Sequence, residues 1–202
     1  MYHKRFFSVL LAFIAVFLIC VNCFADDEVF VQGVRTDSSY TNETIGIRID
    51  LTDDFVMATD EEIMQMMQIG MDNMLDSEQA KELIDIANIT VLYEMLATNL
   101  KNNSTIVLIA EKPMLSGIKQ EQYVEANIEQ IKEYMQVDTV EQDTVEMCGK
   151  NWDIIAYEVD VSGVSLNYFM LIRKVGDRFV MLDFTVLDEE SLDELISLVS
   201  CY

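Results

Sequence analysis

The sequence predicts an α+β domain: a mainly antiparallel sheet flanked by amphipathic helices, after an N-terminal export leader. Three observations carry this reading. Apolar and polar residues alternate through Val164, Leu166, Tyr168, Met170 and Ile172, and again through Val180, Leu182, Phe184 and Val186, with turn signals at Ser162-Gly163 and Gly176-Asp177. Alternation of period two between tight turns marks consecutive antiparallel strands. Val124, Ile128, Ile131 and Met135 fall on one helical stripe, while Glu121, Glu125, Glu129 and Glu133 face the other way. Finally, Asp188-Glu189-Glu190 reads as the capped start of a closing helix whose Leu192, Leu195, Ile196 and Val199 share a face. Such stripes need an apolar surface to cover, and the sheet supplies it, in an α/β/α or two-layer sandwich.

The leader comes first in the chain. His3, Lys4 and Arg5 precede an almost wholly apolar run from Phe6 to Val21, then Asn22-Cys23-Phe24-Ala25 and the acids Asp26, Asp27 and Glu28. Small residues at the −3 and −1 positions, Cys23 and Ala25, fit signal peptidase and place cleavage after Ala25. The alternative is an uncleaved anchor through residues 6–21; basic residues before the run and acids after it put the body outside in either case. The expected organisation is therefore a signal peptide, 1–25, and a single domain, 26–202, in a secreted or extracytoplasmic location.

Along the body, Val29 to Arg35 is a first strand and Tyr40 to Leu51 a second, ended by Asp53-Asp54. Thr59-Asp60-Glu61-Glu62 starts a helix running to about Leu75, with Met64, Met67, Met71 and Met74 at helical spacing. Ser77 caps a second, shorter helix that ends at Asn88. Thr90 to Leu100 and Thr105 to Ala110 form a strand pair about the turn Lys101–Ser104; the second, nearly all apolar, reads as a strand buried on both faces. After the helix from Gln120 to Gln136, Val145–Met147 leads into the turn Cys148–Asn151 and a strand from Trp152 to Val161.

The segments Tyr40-Thr41-Asn42, Ile45-Gly46-Ile47, Tyr93-Glu94-Met95-Leu96, Gln122-Tyr123-Val124-Glu125 and Gly149-Lys150-Asn151-Trp152, followed by two alternating strands and a closing helix, resemble PsbP-like sandwich proteins of the bacterial secreted and lipoprotein branch. The likeness spans roughly residues 40–200 and rests on order and spacing. Thr52 and Phe55 stand where members usually carry a Pro-x-x-Trp-like step. The resemblance implies a helix-flanked antiparallel sandwich serving as a binding scaffold. It specifies no ligand and carries over no functional residue.

The chemistry is bounded by charge and by one absence. With 36 acidic residues against 13 basic ones, the net charge is −23. Such a surface repels nucleic-acid backbones and anionic headgroups, and attracts basic proteins and divalent cations. The only histidine, His3, lies in the leader; without imidazole the body lacks Ser-His and Cys-His activation and the commonest zinc ligand. Of four cysteines, Cys148 and Cys201 lie outside the leader, as a disulfide or as free thiols. Ser116-Gly117-Ile118-Lys119 has the Ser-x-x-Lys form of penicillin-interacting enzymes, but no Lys-Thr-Gly motif accompanies it. Acids at Asp50/Asp53/Asp54, Asp72/Asp76/Glu78 and Asp188/Glu189/Glu190 are the places for Ca2+, though none has the spacing of a calcium loop; no other cofactor is expected. The Met64/Met67/Met71/Met74 stripe reads as core or as an adaptable apolar groove. The expected function is a non-enzymatic binding or assembly module of the cell envelope or extracellular space, with a basic or membrane-bound envelope protein as partner. The alternatives are a carboxylate-based envelope hydrolase and a structural secreted protein without a discrete site.

Overall fold

A computed structural model describes residues 29–65, 90–114, 117–135, 137, 139–161 and 163–202. The leader with Ala25, the residues Met67, Met71 and Met74, the second short helix, the acids Asp72, Asp76 and Glu78, and Ser116 lie outside the described residues.

The described strands form two antiparallel sheets. One contains β1 (Val34–Arg35), β2 (Ser39–Asn42), β3 (Ile47–Asp50) and β11 (Val199–Cys201), in that spatial order. The other has seven strands: β4 (Phe55–Met57), β5 (Val91–Asn99), β6 (Thr105–Glu111), β7 (Val140–Met147), β8 (Lys150–Val161), β9 (Val164–Val175) and β10 (Arg178–Val186). Their spatial order is β4-β5-β6-β10-β9-β8-β7, so β6 and β10 are central and β7 is an edge. Helix α1 (Gln120–Met135) links β6 to β7, and α2 (Glu189–Ser197) links β10 to β11. A further helix starts at Asp60, where Thr59 Oγ1 accepts from the Glu62 N–H and the Glu62 carboxylate accepts from the Thr59 N–H, a reciprocal cap.

Two apolar layers sandwich the larger sheet. On one face Val107, Ile109, Ile155, Ile172 and Met181 pack beneath Tyr123, Val124 and Ile131 of α1, with Ile63 beside them. On the other face Ile106, Leu108, Leu171, Val180 and Leu182 pack against Tyr40, Ile47 and Ile49 of the small sheet and Leu195 of α2. The alternation in β6 and β10 thus supplies both layers. All seven residues of β6 are buried, as its continuous apolar run requires.

The α+β, mainly antiparallel class stands; several elements differ from the sequence reading. Only Val34–Arg35 of the first expected strand pairs. The expected strand from Tyr40 to Leu51 is two strands, because Asn42 Oδ1 accepts from the Ile45 N–H at 2.9 Å and Gly46 takes φ +80°, folding the chain back on itself. Residues Val199–Cys201 leave the closing helix and pair with β3, so the second face of the large sheet is covered chiefly by another sheet. Strand β7 begins at Val140, five residues before the expected segment.

The disulfide ties the two sheets. Cys148, in the β7–β8 turn, is bonded to Cys201 of β11, with Cα atoms 5.1 Å apart. It closes a loop with sequence separation 53. For a loop this long the chain-entropy model assigns about 4 kcal/mol. Reduction, or Cys201→Ser, is expected to lower the urea midpoint correspondingly, with Cys148→Ser equivalent and the double variant no worse than either single one. An unchanged midpoint would mean that packing alone holds the sheets together.

Candidate functional site

Among the described residues three carboxyls are buried within the sandwich, each in a different setting. Glu94 occupies a β-bulge: the β5–β6 register shifts between Tyr93 and Met95. The bulge re-aims its side chain toward the small sheet. There Glu94 Oε2 accepts from the Tyr40 hydroxyl at 2.5 Å and from the Gly33 N–H at 2.8 Å. Asn42 Nδ2 donates to the Tyr40 oxygen at 3.0 Å and to the Val31 carbonyl at 3.1 Å. Burial, then the nearby Glu94 charge, pushes the Tyr40 hydroxyl far above its ordinary range. Gly33 is required here, since a Cβ would lie 2.6 Å from the Tyr40 ring.

Glu111 ends β6 on the α1 side, opposite Phe179. The Tyr123 hydroxyl of α1 donates to Glu111 Oε2, while the Tyr123 ring stacks on Phe179 with centroids 4.0 Å apart. Burial pushes the Glu111 carboxyl up to about 7, against the opposing effects of the Tyr123 hydrogen bond and the Arg178 charge. The Arg178 guanidinium itself donates to the carbonyls of Thr90 at 3.0 Å and Ala110 at 2.9 Å.

Asp183 lies in mid-β10, on the same face as Phe179 and Met181. It is 1% exposed, and neither carboxylate oxygen has a hydrogen-bond partner. Burial pushes this carboxyl well above the usual carboxylate range. The neighbouring Thr105 and Thr185, paired across β6 and β10, are buried with unpartnered hydroxyls.

The exposed acids form a different kind of surface. On α1, Glu121, Glu125, Glu129 and Glu133 face solvent. Helix α1 packs over β8 and β9, and β7 lies immediately beyond β8. Strand β7 carries Glu141, Asp143 and Glu146, all exposed and without a basic residue in the strand.

The sequence-nominated residues are dispersed among these features. Cys148 and Cys201 meet in the disulfide. Met64 is 58% exposed, whereas its neighbour Ile63 joins the core at 3%. Asp50 is tied to Arg48 at 2.6 Å and Asp54 to Lys101 at 2.7 Å, while Asp188 caps α2 through the Ser191 N–H. Among the described residues no three His, Cys, Asp or Glu side chains converge as a metal site. Trp152 is fully buried beneath Arg173, whose guanidinium carbon lies 4.7 Å from the ring centroid and whose Nη2 donates to the Ile45 carbonyl at 2.6 Å. Glu94, Glu111 and Asp183 were not singled out by the sequence. Glu94 interrupts a strand-forming run, which is the signal that marks it, whereas Asp183 falls on the polar side of the β10 alternation and is not marked by it.

No family model matches the chain, and no curated protein matches it. Among solved structures, a protein from Bacteroides thetaiotaomicron superposes with TM-score 0.41 at 11% identity, covering 83% of this chain and 49% of that chain. LpqN, involved in cell envelope biogenesis of Mycobacterium tuberculosis, superposes with TM-score 0.40 at 10% identity, covering 75% of this chain and 76% of that one. The chain thus spans about half the length of the first and about three quarters of the second.

Glu111 and Asp183 make stability depend on pH in one direction. Each has a folded-state pKa raised above its unfolded value, so its contribution is fully present below the unfolded pKa and is lost as pH rises through the folded one. For Glu111 that window runs from its ordinary 4.5 to about 7. The midpoint of denaturant unfolding is expected to fall between pH 5 and 8, and Glu111→Gln to flatten that part of the profile. Asp183→Asn should raise stability at pH 8 by about 1–3 kcal/mol, because an unpartnered carboxylate no longer has to be protonated or desolvated. A profile that rises toward pH 8 in the unaltered protein would refute this assignment.

Proposed function

We propose that this chain is an exported, non-enzymatic binding or assembly module that works at its acidic surface. The observation that carries the reading is the segregation of its carboxyls. Those with the environment for acid–base chemistry are enclosed, while the accessible ones lie on the outer side of α1 and on both faces of the edge strand β7. A hydrolase of the two-carboxylate type places its acids about 5–10 Å apart across an open pocket. Here Glu94 turns toward the small sheet and Glu111 toward α1, on opposite faces of one sheet, and Asp183, which shares the Glu111 face, lies four residues along β10 from Phe179, the cross-strand partner of Glu111, and is 1% exposed. Surface charge this predominantly acidic, with Lys132 the one base on α1, favours cationic partners through long-range attraction.

The Cys148–Cys201 bond supports an oxidising, extracytoplasmic compartment. The apolar leader supports the same location, and among the described residues no helix is long and apolar enough to cross a membrane. The helix-covered antiparallel sheet supports the PsbP-like kinship, which on this reading supplies the scaffold and leaves the partner to the charge pattern. The partner expected is a basic or membrane-bound protein of the envelope.

The test is cross-linking in the native envelope followed by purification. The expected outcome is the recurrent capture of one basic or membrane-bound partner, released as salt rises through about 0.1–0.5 M. Changing Glu121, Glu125, Glu129 and Glu133 together to Gln should weaken capture without unfolding the protein. Repeated recovery of no partner, or capture indifferent to both salt and these changes, would dismiss the proposal.

A further inference from the structure

We infer that the outer edge of β7, which pairs with no further strand among the described residues, is a docking strand for an extended basic segment of the partner, added to the seven-stranded sheet by antiparallel backbone pairing. This rests on the acidic-surface reading above and names its contact. Strand β7 is an eight-residue edge, contains neither proline nor glycine, and pairs with β8 in unbroken register from Val140↔Tyr157 to Met147↔Lys150. Its outer backbone groups are therefore aligned for a further strand, with the Thr144 N–H, which donates to Asp143 Oδ1 at 2.7 Å, exchanging that bond for one to the incoming strand. The other edges of the described sheets are too short to serve: β4 has three residues, β1 two and β11 three. Residues Glu141 to Glu146 are all exposed.

Charge decides the occupant. A long open edge is ordinarily a hazard that proteins blunt with short strands, bulges or charge. Two copies pairing through β7 would bring Glu141, Asp143 and Glu146 against one another, and like charges placed opposite are unfavourable. A basic strand reverses the sign. The β8 register puts Glu141, Asp143 and Val145 on one face of β7, opposite Ala156, Ile154 and Trp152. Glu146 lies on the other face with Thr144 and Gln142. An antiparallel partner therefore presents, from its N-terminus, a basic residue to Glu146, an apolar one to Val145, then basic residues at alternate positions to Asp143 and Glu141. The pattern is basic–apolar–x–basic–x–basic.

The probe is the synthetic peptide acetyl-Lys-Val-Thr-Lys-Thr-Lys-amide, tested against the protein as its host matures it. Three comparisons separate strand pairing from charge attraction. A peptide of the same composition with its lysines adjacent should bind more weakly. Of two peptides N-methylated on alternate residues, one should lose binding and the other keep it, because only one set of N–H groups faces β7. Changing Glu141 and Asp143 together to Lys should weaken binding at least about tenfold, the combined worth of two cross-strand charge pairs and their reversal. Amide exchange should slow at alternate residues of Val140–Met147 on binding.

Equal binding by the rearranged and both methylated peptides overturns the edge assignment and leaves the acidic-surface reading standing. So does capture of an envelope partner that the Lys variant binds as tightly as the unaltered protein. Self-association through β7, seen by sedimentation and abolished by the peptide, also overturns it in favour of a second copy. Failure to bind any of these peptides, together with no partner in the envelope, removes both proposals.

Discussion

Strands β6 and β10 are buried on both faces, and the rest of the fold follows from having to cover them. Their alternating side chains feed one apolar layer toward α1 and another toward the small sheet and α2. A two-sided apolar sheet exposed on either face would be both unstable and adhesive. The N-terminal strands and the C-terminal strand β11, distant in sequence, therefore meet as one lid. Beyond its apolar packing, that lid is tied down by the Cys148–Cys201 bond, the Arg173 hydrogen bond to the Ile45 carbonyl, and the hydrogen bonds of Tyr40 and Gly33 to Glu94.

The buried polar groups show how differently one residue type can be accommodated. Glu94 gains three donors on one oxygen, the Gly33 N–H, the Tyr40 hydroxyl and Asn42 Nδ2, leaves the other without a hydrogen-bond partner, and organises the N-terminal segment around Tyr40. Glu111 has a tyrosine hydroxyl and a nearby guanidinium, yet burial still lifts it to near neutrality. Neither oxygen of Asp183 has a hydrogen-bond partner, and burial pushes its carboxyl up. Each costs stability relative to an apolar residue, since a charge taken from water is only partly compensated by its surroundings. What Glu94 supplies in return is specificity: a single oxygen joins β5, β2 and the segment at Gly33, and so sets where the small sheet lies on the large one.

The parts legible in the sequence were those in which burial is one-sided or complete. The meander of β8, β9 and β10, the buried run of β6 and the stripe of α1 all announce themselves by period. Strand β7 did not, beyond its last residues, because an edge strand wet on both faces has no apolar alternation to read. That same property is what exposes it as a surface. The turn at Asn42–Gly46 was hidden for the opposite reason: Tyr40, Ile45, Ile47 and Ile49 are all buried, so the apolar pattern runs straight through the reversal. Glu94 sits within a run of strand formers and Asp183 on the polar side of the β10 alternation, and only the bulge and the facing elements show that both are enclosed.

By itself, the sequence determined the local elements, the acidic charge, the absence of imidazole beyond His3 and the apolar run from Phe6 to Val21, because these depend on residue type and near-neighbour spacing alone. Only the tertiary structure decided that the two late cysteines meet, that a second sheet covers the larger one, which carboxyls are enclosed and which strand is left at the edge. Each of those is a matter of long-range pairing, where residues far apart in the chain are brought together by the need to bury both faces of one sheet, and no periodicity along the chain encodes that partner choice.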